Sequence, residues 1–304
     1  MKKYYITNDL EQTIQMINPD IDINKLDLAT IRKELTEALL KAFEWQDIQP
    51  EAIAYGDIKK YFQQNKKTDE FILSLENGIY IDDPDFNFSS TRMYQQDQNI
   101  LDPWAKYEIT QRDGTMLEWQ IVNLVEKIKA TNKQNIILCD DWLFSWDTLK
   151  TTIALLQNNW IVVDAIRVVV NFSGKTDIDG VPIQAMLSPE KDNFVDWIDE
   201  RDFFYGTPMS WASLQDKTGK VYWISYISKP WIATKKASIP KETSKEFCKT
   251  MIEINKKLWN MINDARKEIT QLFELPRLCN LIKDQQTDTK KSIIDVLDDE
   301  KNTL

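Results

Sequence analysis

Histidine is absent from all 304 residues. That removes the commonest general base, the Ser-His and Cys-His nucleophile pairs and most transition-metal sites. Any chemistry has to run on carboxylates, lysine, tyrosine, hydroxyls or a hard cation such as Mg²⁺. Cysteine is scarce as well: Cys139, Cys248 and Cys279 are odd in number, widely spaced and without a C-x-x-C pair. They support neither a disulfide framework nor a zinc ribbon and read as reduced thiols. No run of about 18 apolar residues occurs, and the opening MKKYYITNDLEQ lacks the apolar centre of a secretory signal. A membrane span and secretion are therefore not expected, and a cytoplasmic location is. Positive charge is in deficit: 38 Lys and Arg face 48 Asp and Glu, a formal charge of −10. A protein that coats nucleic acid is not indicated, although a local basic groove would survive that average.

What is present is the composition of a folded protein, 42% hydrophobic with 11% aromatic, on a chain long enough for one large core or two smaller ones. The 11 tryptophans read mainly as fillers of cores and subunit contacts, with base stacking as their other use. In LDLATIRKELTEALLKAF the residues Leu28, Ile31, Leu35, Leu39 and Phe43 share one helix face, and Asp27 is placed to cap its start. Pro50 opens a second helical piece through Ile58 and Phe62. Residues 1–70 thus read as a helical N-terminal region.

From Phe71 the texture changes. FILSLENGIYIDD carries an Asn-Gly turn between short apolar runs, and DFNFSS alternates, as short strands do. MLEWQIVNLVEKIKA is helical in spacing through Leu117, Ile121, Leu124 and Ile128. It leads into the strand IILC. A further helix and the β-branched stretch WIVVDAIRVVVNFSG follow, the latter as a strand buried on both faces would read. Helix, strand, helix, strand over residues 116–171 is the order of a parallel α/β layer, to which GVPIQAML adds one more strand. NFVDWIDERDFFYGTPMSW reads as irregular, and WASLQDKTGKVYWISYIS as a hairpin about Asp216 to Gly219. Thr243 and Glu246 form a T-x-x-E capping box before a near-heptad seam, Phe247, Met251, Ile254, Leu258, Met261, Ala265, Ile269 and Leu272. This helix either packs on the core or pairs with a copy of itself or another protein.

Ligands of open parallel sheets bind outside the carboxyl ends of the strands, so Asp140 and Asp141, after IILC, stand where a site is expected. Paired carboxylates there can accept hydrogen bonds from a sugar's vicinal hydroxyls or hold Mg²⁺ on a diphosphate. The loop that follows ends in Asp147, Thr148 and Leu149 at a helix start, with backbone N–H groups and the helix dipole available to an anion.

These residues resemble the type I phosphoribosyltransferases, whose PRPP signature is an apolar strand, two acids, two or three small or apolar residues and then Thr-Thr-Gly-x-Thr-Leu before a helix. The match runs through Ile136 to Cys139, then Asp140 and Asp141, then Ser145 for a threonine and Thr148 and Leu149 for the final pair. The resemblance implies that the two acids hold the ribose 2′ and 3′ hydroxyls, with Mg²⁺ as cofactor, and that Ser145, Trp146, Asp147, Thr148 and Leu149 cradle the 5′-phosphate. Two departures stand out: Trp146 replaces the family's glycine and Phe144 a hydroxyl residue, and a bulky side chain there crowds or re-aims the loop. The family also holds its diphosphate on a glycine-containing loop after the first sheet strand. The nearest candidate is Arg112, Asp113, Gly114 and Thr115, which could offer backbone amides and a guanidinium. Divergent members of the fold serve as regulators and in bacterial conflict or mobile-element systems.

Two further features carry weaker signals. Asp82, Asp83 and Asp85 form a D-x-D that is either a metal site for sugar transfer or a solvated turn. Tyr205, Gly206 and Trp211 could wall a base pocket or anchor a buried loop.

The expected architecture is α/β: a phosphoribosyltransferase-like parallel-sheet core over 71–190, a helical region before it, an aromatic-rich loop and hairpin over 191–240, and a helical extension over 241–304. The expected ligand is PRPP or a related sugar phosphate or nucleotide, with transfer of ribose phosphate to a nucleobase-type acceptor if catalysis is retained. The alternatives are an inactive nucleotide-binding or assembly protein, oligomeric or partnered through the Phe247–Leu272 helix, and a nucleoside- or nucleic-acid-modifying enzyme.

Overall fold

A computed structural model describes residues 1–76, 79–95, 108–111, 116–144, 147–207, 212–215, 221–223, 230–271, 274–275 and 290–304. In chain order the elements are β1 (Lys2–Asn8), α1 (Leu10–Ile17), α2 (Leu28–Ala42), β2 (Ile48–Ala54), α3 (Tyr55–Asn65), β3 (Glu70–Ser74), β4 (Phe86–Asn87) and β5 (Ser90–Gln95). Then come β6 (Glu108–Gln111), α4 (Leu117–Lys129), β7 (Asn135–Leu143), α5 (Asp147–Asn158), β8 (Ala165–Asn171), β9 (Asp177–Ile178), β10 (Val181–Leu187) and β11 (Phe194–Asp199). The last are β12 (Ala212–Gln215), β13 (Val221–Trp223), α6 (Pro230–Lys236), α7 (Lys241–Arg266) and α8 (Ile293–Thr303). The chain folds into two compact units. One comprises Met1–Ala52, Tyr94–Lys106 and Val195–Leu304; the other, Ile53–Met93 and Tyr107–Phe194.

The second unit is the α/β layer that the helix-strand alternation predicts. Its sheet runs β4-β3-β7-β8-β10-β9; β4, β3, β7, β8 and β10 are parallel and β9 is antiparallel to β10. Parallel neighbours need long crossovers, and α4 and α5 supply helices for them. Both cover one face: Ile121 and Leu124 of α4 and Leu149, Ile153 and Leu156 of α5 join Phe71, Leu73, Leu138, Ile166 and Val168 in one apolar core. The opposite face carries Glu70, Ile72 and Ser74 beside Ile137 and Cys139, in register. Helix α3 lies there, where burial pushes the phenol of Tyr61 up to about 12 beside Arg167 and Cys139. Strand β8 is buried along its whole length, as its β-branched run requires.

Helix α5 stops in a way the sequence does not advertise. Trp160 donates its N–H to the Gln157 carbonyl and Ile161 to that of Leu156, a helix end whose left-handed residue is usually glycine. Trp160 holds that position at φ +62° with its side chain 95% exposed. The left-handed backbone penalty is therefore offset by no burial. Trp160→Gly is expected to raise stability by about 0.5–1 kcal/mol in urea unfolding. An unchanged or lowered stability would show that the indole makes a contact in solution that offsets it.

In the first unit Leu28, Ile31, Leu35 and Leu39 of α2 share a core with Phe247, Met251, Ile254 and Leu258 of α7 and Ile293, Val296 and Leu297 of α8. Asp27 caps α2 as expected, accepting the Thr30 N–H at 3.1 Å. The seam on α7 is thus packed inside the chain up to Leu258, the first of the two alternatives its spacing allows. The capping box is corrected: α7 begins at Lys241, and the Thr243 hydroxyl donates to the carbonyls of Ala42 and Pro240. The helix ends with Lys267 left-handed at φ +59°; Leu272 is outside the described residues.

The N-terminal region is not wholly helical. Residues 2–8 and 48–54 are strands in a three-stranded sheet ordered β11-β1-β2, and the helix expected from Pro50 starts at Tyr55. The stretch read as irregular after Asp192 supplies β11 and a 3-10 turn, Glu200–Phe203. There Trp197 Nε1 donates to the Thr7 hydroxyl at 2.7 Å, tying strands 190 residues apart. β12 and β13 are antiparallel, as the hairpin reading requires, with residues 216–220 outside the described set. The hairpin expected at Asn77-Gly78 is not built on β3, whose neighbours β4 and β7 both run parallel to it; Asn77 and Gly78 themselves are not described.

Candidate functional site

Strand β7 does not stop at Cys139. Its ladder with β8 continues through Asp140 opposite Val168, Trp142 opposite Val170 and Leu143 opposite Asn171, so the two acids lie within the last turn of pleat rather than beyond it. Successive strand residues face opposite ways. Asp140 therefore shares the side of Leu138, toward the helices α4 and α5, and Asp141 shares the side of Cys139. Both are partly exposed. Each carboxylate also meets the next backbone amide: the Asp141 N–H donates to Asp140 Oδ1 at 3.0 Å and the Trp142 N–H to Asp141 Oδ1 at 2.8 Å.

Of the expected phosphate loop, Ser145 and Trp146 fall outside the described residues. Asp147 opens α5, Thr148 is partly exposed in its first turn, and Leu149 is 1% exposed in the apolar core, so of these Leu149 could serve an anion through its backbone alone. Beside the strand end stands a chain of rings. Phe144, 40% exposed, meets Trp142 at 5.7 Å, Phe172 at 5.0 Å and Phe194 at 6.1 Å between centroids. These distances fit ordinary edge and tilted packing.

Arg112, Asp113, Gly114 and Thr115 are outside the described residues. After the sheet's first strand the described residues are Leu75, Glu76 and Ile79–Ile81, and the amides of Leu75, Ile79, Tyr80 and Ile81 are already engaged. Glu76, 4% exposed, accepts the N–H groups of Ile79 and Tyr80 on Oε2 at 2.9 and 3.0 Å and that of Ile81 on Oε1 at 3.1 Å. Tyr55 holds the same loop by donating its hydroxyl to the Ile79 carbonyl at 2.7 Å. Nothing in LENGI distinguishes such a carboxylate from a surface turn residue, so sequence reading missed it.

The remaining candidates are structural. Asp82 pairs with Lys59 and accepts from Gln63, Asp83 is left-handed at φ +48°, and Asp85 accepts the Ile72 N–H and pairs with Lys133. Asp82 and Asp83 are exposed, as in the solvated-turn reading of the D-x-D. Tyr205 is 1% exposed in the core of the first unit; its N–H donates to Asn255 and its carbonyl accepts Trp259 Nε1. Gly206 sits at φ +113°, and a β-carbon there would stand 2.9 Å from Trp259. This glycine is needed for close packing, and the loop-anchor reading describes the pair; Trp211 is not described.

A buried pair also went unforeseen. Arg167 Nη1 and Nη2 donate to the two carboxylate oxygens of Glu70 at 3.1 and 3.0 Å, and Gln184 Oε1 accepts from Nε and Nη2 at 3.2 Å each. The charges lie across β7 beneath α3. The one signal was an arginine inside AIRVVVN. Cys139 beside them is buried and free, and burial pushes its thiol well up, so it is no nucleophile. Among the described residues no three Asp, Glu or Cys side chains converge as a metal site, and no helix is long and apolar enough to cross a membrane.

No protein-family model matches this chain, and no curated protein is significantly similar to it. Among solved structures it is similar to an adenine phosphoribosyltransferase from Thermoanaerobacter pseudethanolicus, at 10% identity over 44% of this chain and 80% of that one, with a TM-score of 0.26. A likeness at that level shows neither family nor activity.

Proposed function

We propose that the sheet unit is a phosphoribosyltransferase-like binding fold that takes a phosphorylated sugar at the carboxyl end of β7. The observation that carries this reading is the run from β7 into α5: Asp140 and Asp141 lie in the last four residues of a central parallel strand that ends at Leu143, and a helix begins at Asp147. Carboxylates there are hydrogen-bond acceptors for ribose hydroxyls, and the amides before α5 are donors for a phosphate. With one acid on each face of β7 and no third ligand among the described residues, a resident cation cage is not supported. Mg²⁺ would arrive on the ligand's own phosphates, held by one carboxylate, and would supply charge neutralisation.

Binding is supported better than transfer. Transfer would have to release diphosphate, and the amides of Ile79 to Ile81, which could hold it after the first strand, already serve Glu76. The assembly-protein alternative through α7 loses support because its seam is buried. Calorimetry with PRPP and Mg²⁺ should give binding in the wild type that weakens at least about 10-fold in Asp140→Asn and in Asp141→Asn, as loss of a charged hydrogen bond implies. Absence of wild-type binding at millimolar ligand would sink the proposal; diphosphate release with any nucleobase would restore transfer.

A further inference from the structure

We propose that a cavity in the first unit, between the loop after α1 and the end of α7, is a binding site for a basic amino acid. The cavity measures about 430 Å³, within the range of small-molecule sites. Its wall is mainly polar, unlike the voids that stay empty. One guanidinium, that of Arg266, and three carboxylates, those of Asp20, Glu268 and Glu274, line it. The guanidinium is already engaged: Nη2 donates to Glu274 Oε1 at 2.7 Å, and Nη1 to the Thr270 hydroxyl at 2.8 Å and to Asn18 Oδ1 at 3.4 Å. The exposed Asp20 carboxylate has no hydrogen bond or ion pair among the described residues, and that of Glu268 reaches only Arg266, at 3.7 Å. This excess of negative charge favours a cation.

A second observation calls for an acceptor as well. Thr270 is fully buried in the cavity wall. A hydroxyl is a donor as well as an acceptor; Thr270 Oγ1 accepts from Arg266, while its own proton reaches no acceptor among the described residues. The Arg266 Nε–H is likewise undelivered, since the guanidinium's hydrogen bonds all leave from Nη1 and Nη2. The ligand therefore needs an anionic or carbonyl oxygen for these donors and positive groups for Asp20 and Glu268. A molecule with one carboxylate and a net positive charge meets both needs. A metal ion does not, because no three acidic side chains converge among the described residues.

The proposal does not rest on the phosphosugar reading at β7, because it uses other residues and another ligand. Calorimetry on the full-length chain should show L-lysine binding to the wild type. Putrescine keeps two ammonium groups but offers no acceptor, and should bind at least about 10-fold more weakly; succinate should not bind. Asp20→Asn with Glu268→Gln changes two exposed side chains and should weaken lysine binding at least about 10-fold. Thr270→Val keeps the shape and should abolish the preference for lysine over putrescine; if that chain fails to fold, the acidic pair decides. A chain with Asp140→Asn and Asp141→Asn should bind lysine as the wild type does, so failure at β7 leaves this result unaffected. No lysine binding to the wild type at millimolar ligand, putrescine or succinate bound as tightly as lysine, or unchanged affinity in the Asp20→Asn, Glu268→Gln chain would overturn the proposal.

Discussion

Arg167→Leu is expected to lower the unfolding free energy by about 3–5 kcal/mol, because it leaves the Glu70 carboxylate buried without its counter-charge. The side chains of Arg167 and Glu70 are 2% and 4% exposed, so water cannot replace the lost partner. Removing both charges should behave differently. Glu70→Leu with Arg167→Leu restores an apolar sheet face and is expected to come within about 1–2 kcal/mol of the wild type. Urea midpoints of the two single variants and the double variant give the coupling directly. Additive single losses would mean that the two charges do not support each other.

The same pair sets an acid limit. Burial pushes the Glu70 carboxyl up, but the Arg167 guanidinium and the Lys67 N–H more than offset this and hold it below its usual 4.5. The unfolded chain takes up that proton first. The pair's contribution is therefore complete above pH 4.5 and is lost as pH falls through the lowered folded value. Wild type should lose stability there more steeply than the double variant does.

Glu200 works in the opposite direction. Its carboxyl is pushed up to about 7 by burial, against the opposing pull of Arg32. Arg32 Nε donates to both of its oxygens at 2.9 and 3.1 Å, and the Leu10 N–H donates to one at 3.3 Å. The pair is asymmetric. Arg32 is 27% exposed and also contacts Glu11, whereas Glu200 is 3% exposed; the desolvation cost falls on the carboxylate while the guanidinium stays charged. Between pH 4.5 and 7 the folded protein holds a proton that the unfolded chain has released. The stabilisation is complete below pH 4.5 and gone once pH passes through 7, a difference of about 3 kcal/mol.

Glu200→Gln, which keeps the shape and an acceptor for Leu10, should remove this slope and leave the milder one from Asp196. Burial pushes that carboxyl up to about 6 despite the Ser238 hydroxyl and the Trp197 N–H. Urea unfolding of both proteins at half-unit steps from pH 4.5 to 8 tests it. If Arg32 keeps Glu200 ionised throughout, the variant will be less stable at every pH with the slope unchanged.

Much of the architecture was readable one segment at a time. The α2 face and its Asp27 cap, α4, α5 and the β-branched β8 all follow from spacing, because each element's partner needs only to be apolar. Readings failed where a neighbour distant in sequence decided the outcome. Strand β7 gains its last four residues, Asp140 to Leu143, from a ladder partner in β8. The segment around Pro50 becomes strand because β1 lies beside it, and NFVDWID reads as irregular until β1 pairs with it.

By itself the sequence determined the chemistry available and the place to look for it: no histidine, few thiols, and two carboxylates running out of an apolar strand ahead of a helix. These are properties of residue type and short spacing, which survive without knowledge of the fold. Only the tertiary structure decided where the charges meet. Glu70 finds Arg167 across 97 residues, Asp140 and Asp141 part to opposite faces of one strand, and Glu76 turns back onto three amides of its own loop. Register and burial set those pairings, and both come into being only when distant segments are packed together.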